Sequence, residues 1–214
     1  MNHPRIRRLK ILKLILARHG QTVWNEHGRF QGFSDVELSA EGRQQAQSLA
    51  KSLKGLKLAG IYTSPLTRAR ETAAIVAQYH DCALRVEEGL KELNQGELEG
   101  LTSQDLMGKY PDFLKKWTAE PGTLRLPKGE SLKDLQDRAW ASVERIIKRH
   151  GEGNVMIVAH NFVNRVILCR ILSMALNDFR SMRQDAGATN IIEFTGRGPV
   201  LTRLNDTCHL RRLP

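Results

Sequence analysis

The chain has 214 residues, 41% hydrophobic and 26% charged, which fits one ordinary globular domain and excludes the disordered, fibrous and disulfide-stapled classes. Its formal charge of +10 admits nucleic-acid binding as a reading, yet the densest basic runs are terminal, at Arg5, Arg7, Arg8, Lys10 and Lys13 and at Arg211 with Arg212. They carry no interleaved aromatics to stack bases, so they read as solvated tails on a surface that would also draw small anions to a cationic cleft.

Residues 1–12 form a basic N-terminal extension, and the apolar stretch from Ile11 to Ala17 is a first, buried strand. Lys13 interrupts that stretch and Arg18-His19 stands where a cleavage site would follow, so it is not a signal peptide. A polar, glycine-punctuated loop runs from Gly20 to Ser39. Ser39 then N-caps a helix whose Ala46, Leu49, Ala50 and Leu53 share one face, closed by Gly55. A short strand, Ala59 to Thr63, leads through Ser64-Pro65 into a second helix with Ala69, Ala73, Val76 and Ala77 inward.

From 93 to 130 glycines and prolines break this rhythm, which predicts a lid-like insertion with short helices over the pocket. A long amphipathic helix follows, Ser131 to about His150, with Leu132, Leu135, Ala139, Val143, Ile146 and Ile147 inward. Next come a strand at 154–159, a helix at about 162–175, and an edge hairpin of 189–195 and 199–204. Strands alternating with helices predict an α/β fold, a three-layer sandwich with a mainly parallel mixed sheet. No run approaches the roughly twenty apolar residues of a membrane span. The three cysteines, Cys82, Cys169 and Cys208, are scattered and odd in number, as reduced thiols of a cytoplasmic protein would be.

Two strands end in histidine: Leu16-Ala17-Arg18-His19-Gly20 and Val158-Ala159-His160-Asn161. Residues at the carboxyl ends of strands in open α/β sheets face the crevice where ligands bind, which suggests one shared pocket and an enzyme. A neutral imidazole is a good nucleophile toward phosphorus, and the neighbouring Arg18 disfavours imidazolium. Downstream, Ser64-Pro65-Leu66-Thr67-Arg68 sets an arginine at the start of a helix, where N–H groups already favour an anion and a guanidinium can hold two phosphate oxygens. Arg70 points elsewhere and, with Glu71, belongs to the surface.

These segments, with Thr22 and Asn25, Gln31-Gly32, Leu38-Ser39-x-x-Gly42, Leu90-x-Glu92, Gly96, Glu99-Gly100 and Gly129-Glu130-Ser131, resemble the histidine phosphatase superfamily, the phosphoglycerate mutase-like group, on its phosphatase side. The resemblance covers nearly the whole chain. It implies a metal-independent phosphomonoester hydrolase, without cofactor, acting on a small phosphorylated metabolite. His19 of the Arg-His-Gly motif would become phosphohistidine, while Arg18, Arg68 and His160 bind the phosphoryl oxygens. Asn25 would orient His19 or touch the phosphate, Gln31 and Gly32 would line the substrate site, and Glu92 would serve as acid and then base.

The chain departs from many relatives in having Asn161 after the second histidine, where an amide could bind phosphate or cap the next helix. Mutase-type phosphoryl transfer is the alternative; Leu93-Asn94-Gln95-Gly96 after Glu92, in place of an Arg-His-Tyr-Gly pattern, favours hydrolysis. A catalytically idle scaffold is the other, and the full set of site residues speaks against it. Trp24, Met107, Tyr110, Phe113 and Trp117 are candidate walls for the substrate, although ordinary packing suits most of them better. The expected partners are that metabolite, no specific nucleic acid and no membrane, in a monomer or homodimer.

Overall fold

A computed structural model describes residues 11–211, so Arg5, Arg7, Arg8, Lys10 and Arg212 of the basic tails lie outside the described residues. Residue 12 does not belong to an extension. Leu12 opens strand β1 (Leu12–Arg18), pairs with Gly153 and is buried.

Among the described residues six strands form one sheet: β1, β2 (Leu58–Thr63), β3 (Leu84–Val86), β4 (Gly153–Ala159), β5 (Thr189–Thr195) and β6 (Gly198–Asp206), in the order β3-β2-β4-β1-β5-β6. The first four are mutually parallel, and the hairpin β5-β6 adds two antiparallel pairings at one edge. β1 sits centrally and is buried on both faces. Leu12, Leu14 and Leu16 enter one core while Ile15 and Ala17 enter the other, which is why its sequence is a nearly continuous apolar run.

Helices occur in chain order as α1 (Val23–Glu26), α2 (Ala40–Leu53), α3 (Thr67–Ala77), α4 (Ser103–Lys109), α5 (Pro111–Ala119), α6 (Leu132–His150) and α7 (Asn161–Ile171). α2 and α3 cover the Ile15 face through Leu49, Ala50, Ala69, Ala73 and Val76. α6 and α7 cover the Leu14 face through Leu135, Ala139, Val143, Val163 and Ile167. This is the three-layer sandwich the alternating pattern predicts.

Local chemistry sets the helix ends. Ser39 Oγ accepts from the Gly42 N–H at 3.1 Å. Ser131 and Asp134 close a reciprocal capping box at α6, and Gly151, at φ 66°, follows its last turn. Gly55 does not close α2, because the Lys54 N–H bonds to the Lys51 carbonyl and the turn tightens without a left-handed residue. The periodicity also misses α1, four residues capped by Thr22, and β3, three exposed residues too short to show alternation.

The register delivers the site. Arg18 lies opposite Ala159, so the next residues, His19 and His160, leave the sheet side by side. Thr63 lies opposite Val158, which brings Ser64 and then the first turn of α3, with Arg68, to the same edge. Leu135 is completely buried in the α6 interface. Leu135→Ala leaves a cavity there and is expected to cost about 2–5 kcal/mol, measured by urea unfolding.

Candidate active site

His19 is buried, and its Nδ1 lies 2.6 Å from the Gly20 carbonyl oxygen. A carbonyl only accepts, so Nδ1 carries the proton and Nε2 keeps its lone pair. The main chain around it is held on both sides: the His19 N–H donates to Ala159 O at 3.0 Å, and the Gly187 N–H donates to His19 O at 3.0 Å. Gly20 packs directly against the start of α2, where a Cβ would come within 2.3 Å of Gly42 O, so only glycine lets the two backbones meet.

Four further groups converge on that imidazole. The His160 ring is completely buried, with its centroid 5.1 Å from that of His19 in an edge-on arrangement. Arg68 is 1% exposed, and its two terminal nitrogens donate to Gly32 O and Ser34 O, both at 2.9 Å. Arg18, half-buried, donates through Nη1 to Gln184 O at 2.7 Å. Glu92 is buried, and its carboxylate accepts from the N–H groups of Leu93, Phe162 and Val163 at 2.9, 3.3 and 3.4 Å.

Arg18 Nε, Arg68 Nε, both ring nitrogens of His160, Gln31 Oε1 and Asn161 Oδ1 are buried without a hydrogen-bond partner among the described residues. Each such atom costs about 1–3 kcal/mol unless something bonds to it. An anion carrying several acceptor oxygens is the complement of the nitrogens among them.

Charge and burial set the protonation states together. Burial first, then Arg68 and Arg18, hold His19 well below the ordinary imidazole value of 6.5. His160 is lowered in the same sense by burial, Arg68, His19 and Arg18. Arg68 itself is lowered to about 10, chiefly by burial, and Glu92 and Asp35 oppose that shift. Glu92 rises above the ordinary 4.5 because burial outweighs its N–H donors and the two arginines. The arrangement keeps a neutral nucleophile beside a carboxyl inclined to hold its proton.

A cavity of about 150 Å³ joins Arg18, His19, Asn25, Gln31, Gly32, Arg68, Glu92 and Asn161, so eight of the nine predicted site residues line one space. The ninth, His160, is not part of the lining, and its ring sits edge-on to that of His19. Asn25 also closes the capping box of α1, with its Oδ1 accepting from the Thr22 N–H and hydroxyl at 3.1 Å. Asn161 does not cap α7. His160 occupies the cap position, Asn161 is the first helical residue, and Glu92 takes the free N–H groups of the first turn.

Arg70 is exposed, as expected, and Glu71 pairs with Arg43 at 2.6 Å. Trp24, Met107, Tyr110, Phe113 and Trp117 do not line the cavity. Phe113 stacks on Trp117, Trp117 meets Phe179, and Phe162, stacked on Phe179, reaches the site.

Arg29, Phe30, Gln95 and Phe162 complete the lining and were not singled out by the sequence. Nor were three residues behind it. Glu99 accepts from Phe33 N, Ser34 N and Ser34 Oγ at 2.8, 2.8 and 2.6 Å and so shapes the loop whose carbonyls hold Arg68. Arg138, paired with Glu130 at 2.8 Å, donates to the carbonyls of Gly89, Lys91 and Glu92. Gln184 anchors Arg18. Glu99 and Glu130 fall within motif segments, but Arg138 and Gln184 carry no local signal.

Unfolding frees His19 and His160 to protonate at their ordinary value, so below pH 6.5 the unfolded chain binds more protons and stability falls with pH. Glu92, raised in the folded state, works in the opposite sense. Replacing one imidazole, in His160→Gln, is therefore expected to shrink the drop in Tm between about pH 7 and about pH 5, read by calorimetry.

Comparison with known proteins places this geometry. Residues 14–207 match the model of the histidine phosphatase superfamily, branch 1. Phosphoserine phosphatase 1 of Hydrogenobacter thermophilus is 35% identical over 200 residues, covering 94% of this chain and 95% of its own. The metal-independent phosphoserine phosphatase of Arabidopsis thaliana is 34% identical over 204 residues, covering 94% and 84%. Among solved structures, YhfR of Bacillus stearothermophilus superposes with a TM-score of 0.88 at 32% identity, covering 93% of this chain and 99% of its own. A mutant phosphoserine phosphatase of Entamoeba histolytica in complex with phosphoserine gives 0.83 at 31% identity, covering 93% and 99%. Paired strand-end histidines, buried arginines and a match along nearly the whole sequence lead to one conclusion: the chain belongs to branch 1 of the histidine phosphatase superfamily.

Proposed function

We propose that this protein is a metal-independent phosphoric monoester hydrolase that acts on a small phosphorylated carboxylic acid, with phosphoserine the first substrate to test. The observation that carries the reading is the bond from His19 Nδ1 to Gly20 O, which leaves Nε2 as a free nucleophile beside the unpaired donors of Arg18, Arg68 and His160. Nε2 attacks phosphorus and the bond to the leaving oxygen breaks. Glu92 gives that oxygen its proton. Water then attacks the phosphohistidine, Glu92 takes a proton from it, and the P–N bond breaks to return the electron pair to Nε2. Arg18, Arg68 and His160 hold the equatorial oxygens and offset the charge that builds there.

Size and charge support the substrate class. A cavity of about 150 Å³ is far below the roughly 300–1,000 Å³ typical of pockets for drug-sized ligands. Arg29 lies in its lining and supplies a cation for a second anionic group. Relatives are named for phosphoserine and for 2-carboxy-D-arabinitol 1-phosphate, and one solved relative holds 3-phosphoglyceric acid; all three molecules are phosphorylated acids. Segment 93–130, which brings Gln95 to the lining, acts as the lid of a single domain. Free Cys82, Cys169 and Cys208 support a cytoplasmic setting, and the protein works as a monomer or homodimer.

Hydrolysis of p-nitrophenyl phosphate is expected to persist in EDTA and to fall to background in His19→Ala. Turnover by that variant equal to the native rate would sink the nucleophile. Glu92→Gln is expected to lose about 10²–10⁴-fold on an alkyl phosphate such as phosphoserine. Its kcat/KM, which reports leaving-group departure and not the later attack of water, should fall much less on p-nitrophenyl phosphate, whose leaving group departs without a proton, so equal losses of kcat/KM on both would remove Glu92 as the acid.

A further inference from the structure

We infer that the loop 183–188 and the amide cluster beneath it are a positioning device for Arg18, reaching the nucleophile loop from the carboxyl-terminal end of the chain. The inference rests on the phosphatase reading. Loop and nucleophile segment meet at three hydrogen bonds: the Arg18 N–H donates to Ala188 O at 2.9 Å, Arg18 Nη1 to Gln184 O at 2.7 Å, and the Gly187 N–H to His19 O at 3.0 Å. Among the described residues the Gln184 carbonyl is the hydrogen-bond partner of this guanidinium, and Arg18 Nε stays buried and unpaired. The direction in which Arg18 points is therefore set by where the backbone of residue 184 lies.

That backbone is itself fixed by a cluster of buried amides. Gln184 is 3% exposed, while Asn164 and Asn190 are completely buried. Gln184 and Asn190 bond reciprocally, Nε2 to Oδ1 at 2.9 Å and Nδ2 to Oε1 at 2.8 Å. Asn164, one turn beyond His160 on α7, adds a bond to Gln184 Oε1 at 3.3 Å, and Asn190 also donates to Leu16 O in β1 at 3.0 Å.

The far end is tied from β6. Asn205, at φ 51°, accepts from the Asp185 N–H at 2.7 Å and donates to the Asp185 carboxylate at 2.9 Å, and its own N–H donates to Asn190 Oδ1 at 2.9 Å. His209 bonds to the Gly187 carbonyl at 3.0 Å. Leucines would fill this volume with no desolvation cost, so the amides act as a directional frame that links β1, α7 and β6 to one guanidinium.

Asn205→Gly keeps the left-handed backbone and removes both bonds to Asp185. Its kcat/KM on p-nitrophenyl phosphate is expected to fall about 10- to 100-fold in the native background, as displaced positioning groups do. In an Arg18→Ala background the same substitution is expected to change the rate less than about twofold, because the two act through one interaction. Equal losses in both backgrounds, or no loss in the native one, would overturn the inference. Gln184→Leu, which keeps the carbonyl and deletes the amide, runs through the same cycle with thermal melts on every variant, so a failure to fold by one does not decide the outcome. Absence of turnover by the native protein would refute the phosphatase reading instead, and orthovanadate affinity, which needs no turnover, then carries the cycle.

Discussion

The structure depends on a buried guanidinium that, among the described residues, donates to no carboxylate. Arg68 is almost fully enclosed and held by the carbonyls of Gly32 and Ser34, which satisfy its terminal nitrogens without neutralising it. Positive charge in a poorly solvated space is expensive; Glu92 and Asp35 offset it only in part, and it governs what its neighbours can be. Burial first, and this charge after it, keep both imidazoles neutral; the charge also draws Glu92 toward its ionised form against the opposing effect of burial, and makes an anion the favourable occupant. Glu99 contributes to this without touching the cavity, because it shapes the loop that carries the two carbonyls.

Most of what the chemistry needs was legible along the chain. The apolar runs before His19 and His160 show two buried strands, and both residues lie where those runs end. The parallel register then brings them together. The periodicity of α6 and its Ser131 cap are local signals, and both appear in the structure. Asn161 was ambiguous because an amide after a strand suits a cap or a ligand, and only the arrival of Glu92 from another segment settles which group takes the helix N–H groups.

What stayed hidden depends on distance in three dimensions. Arg138 lies 46 residues from Glu92 in sequence, and Gln184 is 166 from Arg18. Neither belongs to a pattern that spacing could reveal. Tyr110, Phe113 and Trp117 were candidate walls for the substrate, yet they pack on Phe179 and the main core. Cavity size alone would have misled as well. A larger space of about 920 Å³ lies beside α2 and β5, lined by Lys13, Ile15, Leu53 and Ile191, and holds none of the phosphate-site residues.

The close fit around Gly32 has an evolutionary corollary. At φ 53°, with any Cβ landing 2.1 Å from Glu99 Oε1, this position admits almost no drift, and the anion end of the pocket is frozen with it. Among the other lining residues Arg29 is exposed and Phe162 half-buried, so a change of side chain is accommodated more easily at those two positions than at Gly32. A laboratory library aimed at new substrates would do best to randomise those two codons and leave the glycine alone.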